Sequence, residues 1–203
     1  MRARVKVCGV TRREDALLAA RLGADAVGFV FVRGSRRYLE PARARDIVEA
    51  LPPFVTPVGL FVDEAPGAIE AAARAAGVRA LQLHGREAPS DCRALPWPVL
   101  KALGVEGEAS IARADEYEVS GLVLDAPGGG GSGRAFDWSI VERRRPRAPF
   151  FVAGGLTPDN VGEAVRRLAP YGVDVSSGVE SAPGAKDPGK LERFFDALRQ
   201  ASA

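Results

Sequence analysis

Several side chains are scarce in this chain of 203 residues. Histidine and methionine each occur once, the histidine as His84, and cysteine occurs twice, as Cys8 and Cys92. Two cysteines make no disulfide framework and have no metal-ligand spacing. A lone histidine leaves a zinc site short of ligands, and a Ser-His-Asp triad would have to be built around His84. No metal is expected. Lysine is confined to positions 6, 101, 186 and 190, so nearly all positive charge is arginine. That bias points to coding or thermal adaptation rather than to function. Net charge is +2, with cations scattered among acids, a balance that does not predict nucleic acid as a partner. No apolar run approaches the roughly 20 residues that span a bilayer, so no membrane partner is expected. The first apolar stretch ends at Gly9 and Thr11, too soon for a signal peptide, and a cytoplasmic location follows.

What the chain has is alternation. Short β-branched runs take turns with Ala/Arg/Leu-rich amphipathic stretches along its whole length. The spacing predicts strands over 4–7, 26–31, 57–62, 80–83, 99–102, 121–124, 150–153 and 173–175. It predicts helices over 13–22, 41–50, 66–76, 89–94, 109–116, 137–143, 158–168 and 188–200. Glu40-Pro41, Ala65-Pro66 and Asp187-Pro188 place proline at helix entrances, and Thr157-Pro158-Asp159-Asn160 adds a capping hydroxyl. Strand-helix units with short connections imply a parallel sheet with right-handed crossovers. Eight of them favour closure, so the expected fold is α/β, a single (βα)8 TIM barrel over residues 1–203. A doubly wound open sheet is the alternative. Gly128-Gly129-Gly130-Gly131-Ser132-Gly133, after the sixth strand, reads as a mobile lid.

In such a barrel the active site lies at the C-terminal ends of the strands. The residues found there are Cys8, Arg36 or Arg37, Asp63, His84, Lys101, Asp125, Gly154-Gly155 and Ser176-Ser177-Gly178. The list is polar where the preceding strand residues are apolar. Ala153-Gly154-Gly155-Leu156 ends the seventh strand with two glycines that permit close backbone approach, and Ser176-Ser177-Gly178 ends the eighth. Loops in those two places form the usual barrel phosphate site, built on exposed backbone N–H groups. A phosphorylated small-molecule ligand is therefore expected at Gly154, Gly155, Ser176, Ser177 and Gly178.

Cys8 and Asp125 share the rim with that phosphate, as a thiol and a carboxyl able to act as base and acid. A cysteine at this place is otherwise an inert buried residue, and an aspartate a turn residue. A thiolate base needs cationic charge nearby, and Lys6, of the same parity on its strand, is a candidate source. His84 fits a ligand contact or rim packing equally well. Asp63 is expected to start the third helix. Asp174, a carboxylate inside an apolar strand, must be paired, hydrogen-bonded or in contact with ligand.

At these residues the chain resembles the phosphoribosylanthranilate isomerases of tryptophan biosynthesis. The likeness rests on Val5-Lys6-Val7-Cys8-Gly9-Val10-Thr11, Gly23-Ala24-Asp25-Ala26-Val27-Gly28-Phe29-Val30-Phe31 and Ser35-Arg36-Arg37-Tyr38. It continues through Leu81-Gln82-Leu83-His84-Gly85, Leu124-Asp125, Gly130-Gly131-Ser132-Gly133 with Phe136-Asp137-Trp138, and Ala153-Gly154-Gly155-Leu156. It ends at Asp174-Val175-Ser176-Ser177-Gly178-Val179-Glu180. The resemblance implies an eight-stranded barrel without a cofactor, catalysing an Amadori rearrangement of N-(5-phosphoribosyl)anthranilate. It implies Cys8 as general base, Asp125 as general acid and Arg37, rather than Arg36, as the substrate-binding arginine that supports catalysis. It also implies an acid whose environment raises its pKa. The rival enzymes are an aminoaldose isomerase of histidine biosynthesis, which would pair two aspartates, and a pentose-phosphate epimerase, which would want several histidines. A non-catalytic phosphate-binding barrel has no use for Cys8 opposite Asp125. A homodimer is a further expectation.

Overall fold

The β-branched runs become strands buried on both faces, and they close into a ring. The computed structural model describes residues 2–128 and 135–201. Its strands are β1 (Arg4–Val7), β2 (Ala26–Val30), β3 (Thr56–Phe61), β4 (Ala80–Leu83), β5 (Val99–Gly104), β6 (Gly121–Asp125), β7 (Phe150–Val152) and β8 (Gly172–Val175). Between and after them lie helices α1 (Arg13–Leu22), α2 (Pro41–Val48), α3 (Pro66–Ala76), α4 (Pro89–Ala94), α5 (Glu108–Ala114), α6 (Ser139–Arg143), α7 (Val161–Leu168) and α8 (Pro188–Ala201). All eight strands pair in parallel in chain order, and β1 pairs with β8 from Arg4↔Gly172 to Val7↔Val175. The fold is a closed (βα)8 barrel.

Alternation along the strands divides the apolar residues between two layers. Ala102, Val123, Phe151 and Ala153, with Leu100, fill the inside of the barrel. Their sequence neighbours face outward, where Leu81, Leu83, Leu122, Leu124, Val152 and Val173 pack with helix residues such as Ala16, Ile69, Leu168 and Phe194. Each such large side chain, removed from water, contributes about 1.5–3 kcal/mol before entropy is counted.

Proline sets the starts of α2, α3, α4 and α8, as the sequence predicts. At α7 the helix proper begins at Val161, three residues later than expected. The Thr157 hydroxyl does accept the Asp159 N–H at 3.3 Å, and Asn160 Oδ1 accepts the Thr157 N–H. Those bonds hold 158–160 as a separate turn. After β8 a short 3-10 turn (Ser177–Val179) leads into an unexpected antiparallel hairpin, β9 (Glu180–Ala182) and β10 (Ala185–Lys186). Of the expected lid only Gly128 is described; the rest of it, with the Gly130-Gly131-Ser132-Gly133 motif, lies outside the described residues. Among the described residues no helix is long and apolar enough to cross a membrane.

Candidate active site

A cavity of about 320 Å³ opens at the C-terminal ends of the strands. Cys8, Arg37, His84 and Asp125 line it, and so do Asp174 and the two loops carrying Gly154-Gly155 and Ser176-Ser177-Gly178. Cys8, Arg37, His84, Asp125, Asp174 and the two loops thus meet the same space, whereas Asp63 and Lys101 do not. Val30, Val32, Leu60 and Val62 supply an apolar wall from the β2–β3 side, and β3 stands across the ring from β7 and its glycine loop.

The two loops lock together. Gly154 and Gly155 have φ of 76° and 63°, the left-handed region that side chains disfavour. Gly178 passes so close to the Leu156 carbonyl that a Cβ there would collide with its oxygen. The seventh and eighth loops therefore share one tight backbone contact, with their small residues facing the cavity.

The register of β1 on β8 sets Lys6 directly opposite Asp174. The Lys6 ammonium reaches both carboxylate oxygens, at 2.9 and 3.0 Å, in a fully buried pair. This satisfies the requirement that Asp174 be paired, and Asp174 also faces the cavity. Lys6 points inward as its parity predicts, but its charge is largely spent on Asp174. Burial raises the Cys8 thiol above its ordinary value; Lys6 opposes that, Asp174 adds to it, and Lys186 pulls weakly down. The expected cationic relief at Cys8 is present but is outweighed by burial.

Arg37 is half-buried and holds Glu180 in a double contact, Nε to Oε1 at 2.9 Å and Nη2 to Oε2 at 2.7 Å. Glu180 also takes the Lys186 ammonium at 2.9 Å. Burial alone would raise the Glu180 carboxyl, yet Arg37 and Lys186 hold it below the usual range. Lys186 is 1% exposed and donates as well to the Cys8 carbonyl, at 2.6 Å, and to the Ser176 carbonyl, at 3.2 Å. One ammonium thus ties the end of β1, the end of β8 and the arginine's partner together. Neither Glu180 nor Lys186 was anticipated as part of the site. The signal available for them was the Pro183-Gly184 turn dipeptide between two chargeable residues.

Asp125 is 4% exposed; its Oδ1 accepts the Ala126 N–H at 2.7 Å, and its Oδ2 lies 3.4 Å from His84 Nε2. Gln82, a third residue without an assigned role, reaches His84 Nδ1 with Nε2 at 3.0 Å. Two strand-end residues prove to be elsewhere. Lys101 points out of the barrel wall, bonded to Glu87 and to the Leu83 and Gly85 carbonyls. Asp63, at φ 50°, accepts the Arg86 N–H instead of starting α3. Among the described residues no group of three or more His, Cys, Asp or Glu is placed to hold a metal.

The family model described as N-(5'phosphoribosyl)anthranilate (PRA) isomerase matches residues 5–197. The chain belongs to the N-(5'-phosphoribosyl)anthranilate isomerase family. The member from Pelobacter propionicus is 47% identical over 195 residues, covering 95% of this chain and 93% of the relative. A solved phosphoribosyl anthranilate isomerase in complex with reduced 1-(o-carboxyphenylamino)-1-deoxyribulose 5-phosphate is 42% identical, with a TM-score of 0.87 over 98% of this chain and 99% of the other. Monomers generated from the dimeric phosphoribosylanthranilate isomerase of Thermotoga maritima are 41% identical, with a TM-score of 0.88 over 98% and 99%. This member of the phosphoribosylanthranilate isomerase family is accordingly an isomerase, and its cavity lies where a barrel enzyme carries its chemistry.

Proposed function

We propose that this chain converts N-(5-phosphoribosyl)anthranilate into 1-(2-carboxyphenylamino)-1-deoxyribulose 5-phosphate, in tryptophan biosynthesis, with Asp125 as general acid and Cys8 as general base. The observation that carries the assignment is the single cavity that holds a thiol, a carboxyl, a clamped arginine and two interlocked glycine loops. The loops at Gly154-Gly155 and Ser176-Ser177-Gly178 hold the phosphate through backbone N–H groups. Leu60 and Val62 offer the aromatic ring an apolar wall, and Arg37, held by Glu180, faces the substrate's anionic groups.

The Asp125 proton passes to the furanose ring oxygen as the C1–O bond breaks, and the nitrogen lone pair closes the iminium at C1. The Cys8 thiolate then takes the C2 proton. The C–H electron pair becomes the C1–C2 double bond and the iminium nitrogen is neutralised. The resulting enolamine tautomerises, with the C2 hydroxyl losing a proton and C1 gaining one. The steps move protons and break one C–O bond, so the scheme calls for no cofactor. Burial raises the Cys8 thiol and so works against a thiolate before the substrate reacts. Its formation is easier once the neighbouring iminium carries positive charge.

Residues 1–203 serve in this scheme as one catalytic unit, in the cytoplasm. A second copy of the chain is the expected partner, as for the Thermotoga relative, and Phe54, 95% exposed, offers an apolar contact. The deciding experiment follows loss of phosphoribosylanthranilate fluorescence with wild-type, Cys8→Ser and Asp125→Asn protein. Turnover in the wild type should fall by ~10²–10⁴-fold in each variant, with folding retained. A wild type without activity, or a Cys8→Ala enzyme of near-normal kcat, would sink the assignment.

A further inference from the structure

Gln82 is among the polar residues lining the cavity that the scheme above leaves without a task. Gln82 stands on β4 at an inward position, level with Leu100 of β5, beside an interior otherwise filled by Ala102, Val123, Phe151 and Ala153. It is 1% exposed. Each polar end of a buried amide left unmet costs about 1–3 kcal/mol, so an apolar residue of the same size would fill this place more cheaply. The amide Oε1 has no partner among the described residues, and Nε2 lies 3.0 Å from His84 Nδ1. The imidazole is thus what the amide attends to. The other nitrogen of the ring, Nε2, faces Asp125 Oδ2 at 3.4 Å. Two charged groups act on this pair from elsewhere in the barrel: Asp174 on β8, which interacts with both Asp125 and His84, and Lys6 on β1, which is bonded to Asp174.

We propose that Gln82 is a positioning residue that sets the tautomer of His84. Its amide N–H donates to Nδ1, which keeps the imidazole proton on Nε2, directed at Asp125. The inference rests on Asp125 being the acid, and it explains how that acid stays available. A ring protonated at Nε2 presents an N–H, and no lone pair, to Oδ2 at 3.4 Å, so the carboxyl proton is not captured by the imidazole and is free for the substrate. When the O–H bond breaks and the proton moves to the ring oxygen, the electron pair left on Oδ2 already faces an N–H. The opposite tautomer would turn a lone pair toward Asp125. It would engage the acid proton before reaction and repel the carboxylate afterwards. Which nitrogen carries the proton is set by the bond that the other one makes, and here that bond is to Gln82.

His84 is the only histidine, so ¹⁵N-histidine labelling of the whole protein gives one imidazole to observe. At neutral pH the wild type should show a protonated Nε2 and an unprotonated Nδ1. Gln82→Leu removes the donor, so the Nδ1 resonance should move. Its kcat should fall about ten- to a hundredfold, less than the ~10²–10⁴ that a positioned acid contributes, while KM and Tm change little. Gln82→Glu replaces the donor with an acceptor and should draw the proton to Nδ1. A wild-type ring protonated at Nδ1 overturns the proposal, as does a Gln82→Leu spectrum identical to that of the wild type. Wild-type turnover in Asp125→Asn would overturn the acid assignment alone, since the ring spectrum reports on Gln82 independently of turnover.

Discussion

Lys6 and Lys101 bury their ammonium groups equally well, and each lies 2.9 Å from a carboxylate oxygen. They stand on opposite faces of the same sheet. Lys6 points into the barrel, where its partner Asp174 lines the cavity and its charge acts on Cys8. Lys101 points outward, where Glu87, two backbone carbonyls and the Tyr117 ring 5.9 Å away complete its surroundings. Glu87 in turn accepts the Asp63 and Gly85 N–H groups. One pair borders the cavity and the other ties down the connection from β4 to α4. Burial and pairing therefore do not tell the two apart; the face of the strand does.

Removing one partner of a buried pair strands the other charge, at a cost of about 3–5 kcal/mol. Lys6→Met and Lys101→Met should both lose stability on that scale in urea denaturation. Only Lys6→Met should also slow alkylation of Cys8 by iodoacetamide, measured against pH in a Cys92→Ser background, because Lys6 is the strongest influence lowering that thiol. Equal slowing in both variants would break the comparison.

A smaller effect is expected where the loops after β7 and β8 meet. Gly178→Ala forces a Cβ against the Leu156 carbonyl, a misfit of about 1–3 kcal/mol. Because the misfit lies in the loops, it should appear as a KM raised roughly ten- to a hundredfold. A KM within twofold of wild type would mean that the loops do not hold the phosphate.

The Glu180 carboxyl sharpens the contrast in acid. Its folded value lies below the ordinary 4.5, so its contribution to stability is present above 4.5 and is lost as pH falls through the folded value. Tm followed from about pH 5 down to about pH 3 should fall more steeply in the wild type than in Glu180→Gln. The smallest effect belongs to the exposed pair Arg45–Glu49. Arg45→Ala should change stability by less than about 1 kcal/mol and leave turnover untouched; a larger loss would show that exposed pairs matter here as buried ones do.

The ring of strands and most helix starts were legible because they rest on local rules, alternation for one and proline for the other. The candidate site was legible for a related reason: in a barrel, the residue after an apolar run falls on the rim. That rule gives the level along a strand and not the face, so it placed Lys101 beside Cys8 when the structure turns it outward. Asp63 precedes Glu64-Ala65-Pro66 as a helix-starting aspartate would, yet a contact from a later loop claims its carboxylate. The hairpin of Glu180 and Lys186 was missed because strands of three and two residues are too short to carry a pattern. Gln82 was visible within its motif, but only the neighbouring imidazole gives its amide a meaning.

The pairing of β1 with β8 has a consequence for how the protein comes into being. Cys8 ends the first strand to be made, whereas Asp174, Ser176, Gly178 and Lys186 belong to the last barrel strand and the segment after it. During synthesis the chain carries its thiol for most of its length with nothing opposite it. The cavity exists only when the final strand docks against the first and closes the ring. A prematurely terminated chain ending before residue 172 would therefore have no partial activity; the catalyst arises late, and whole.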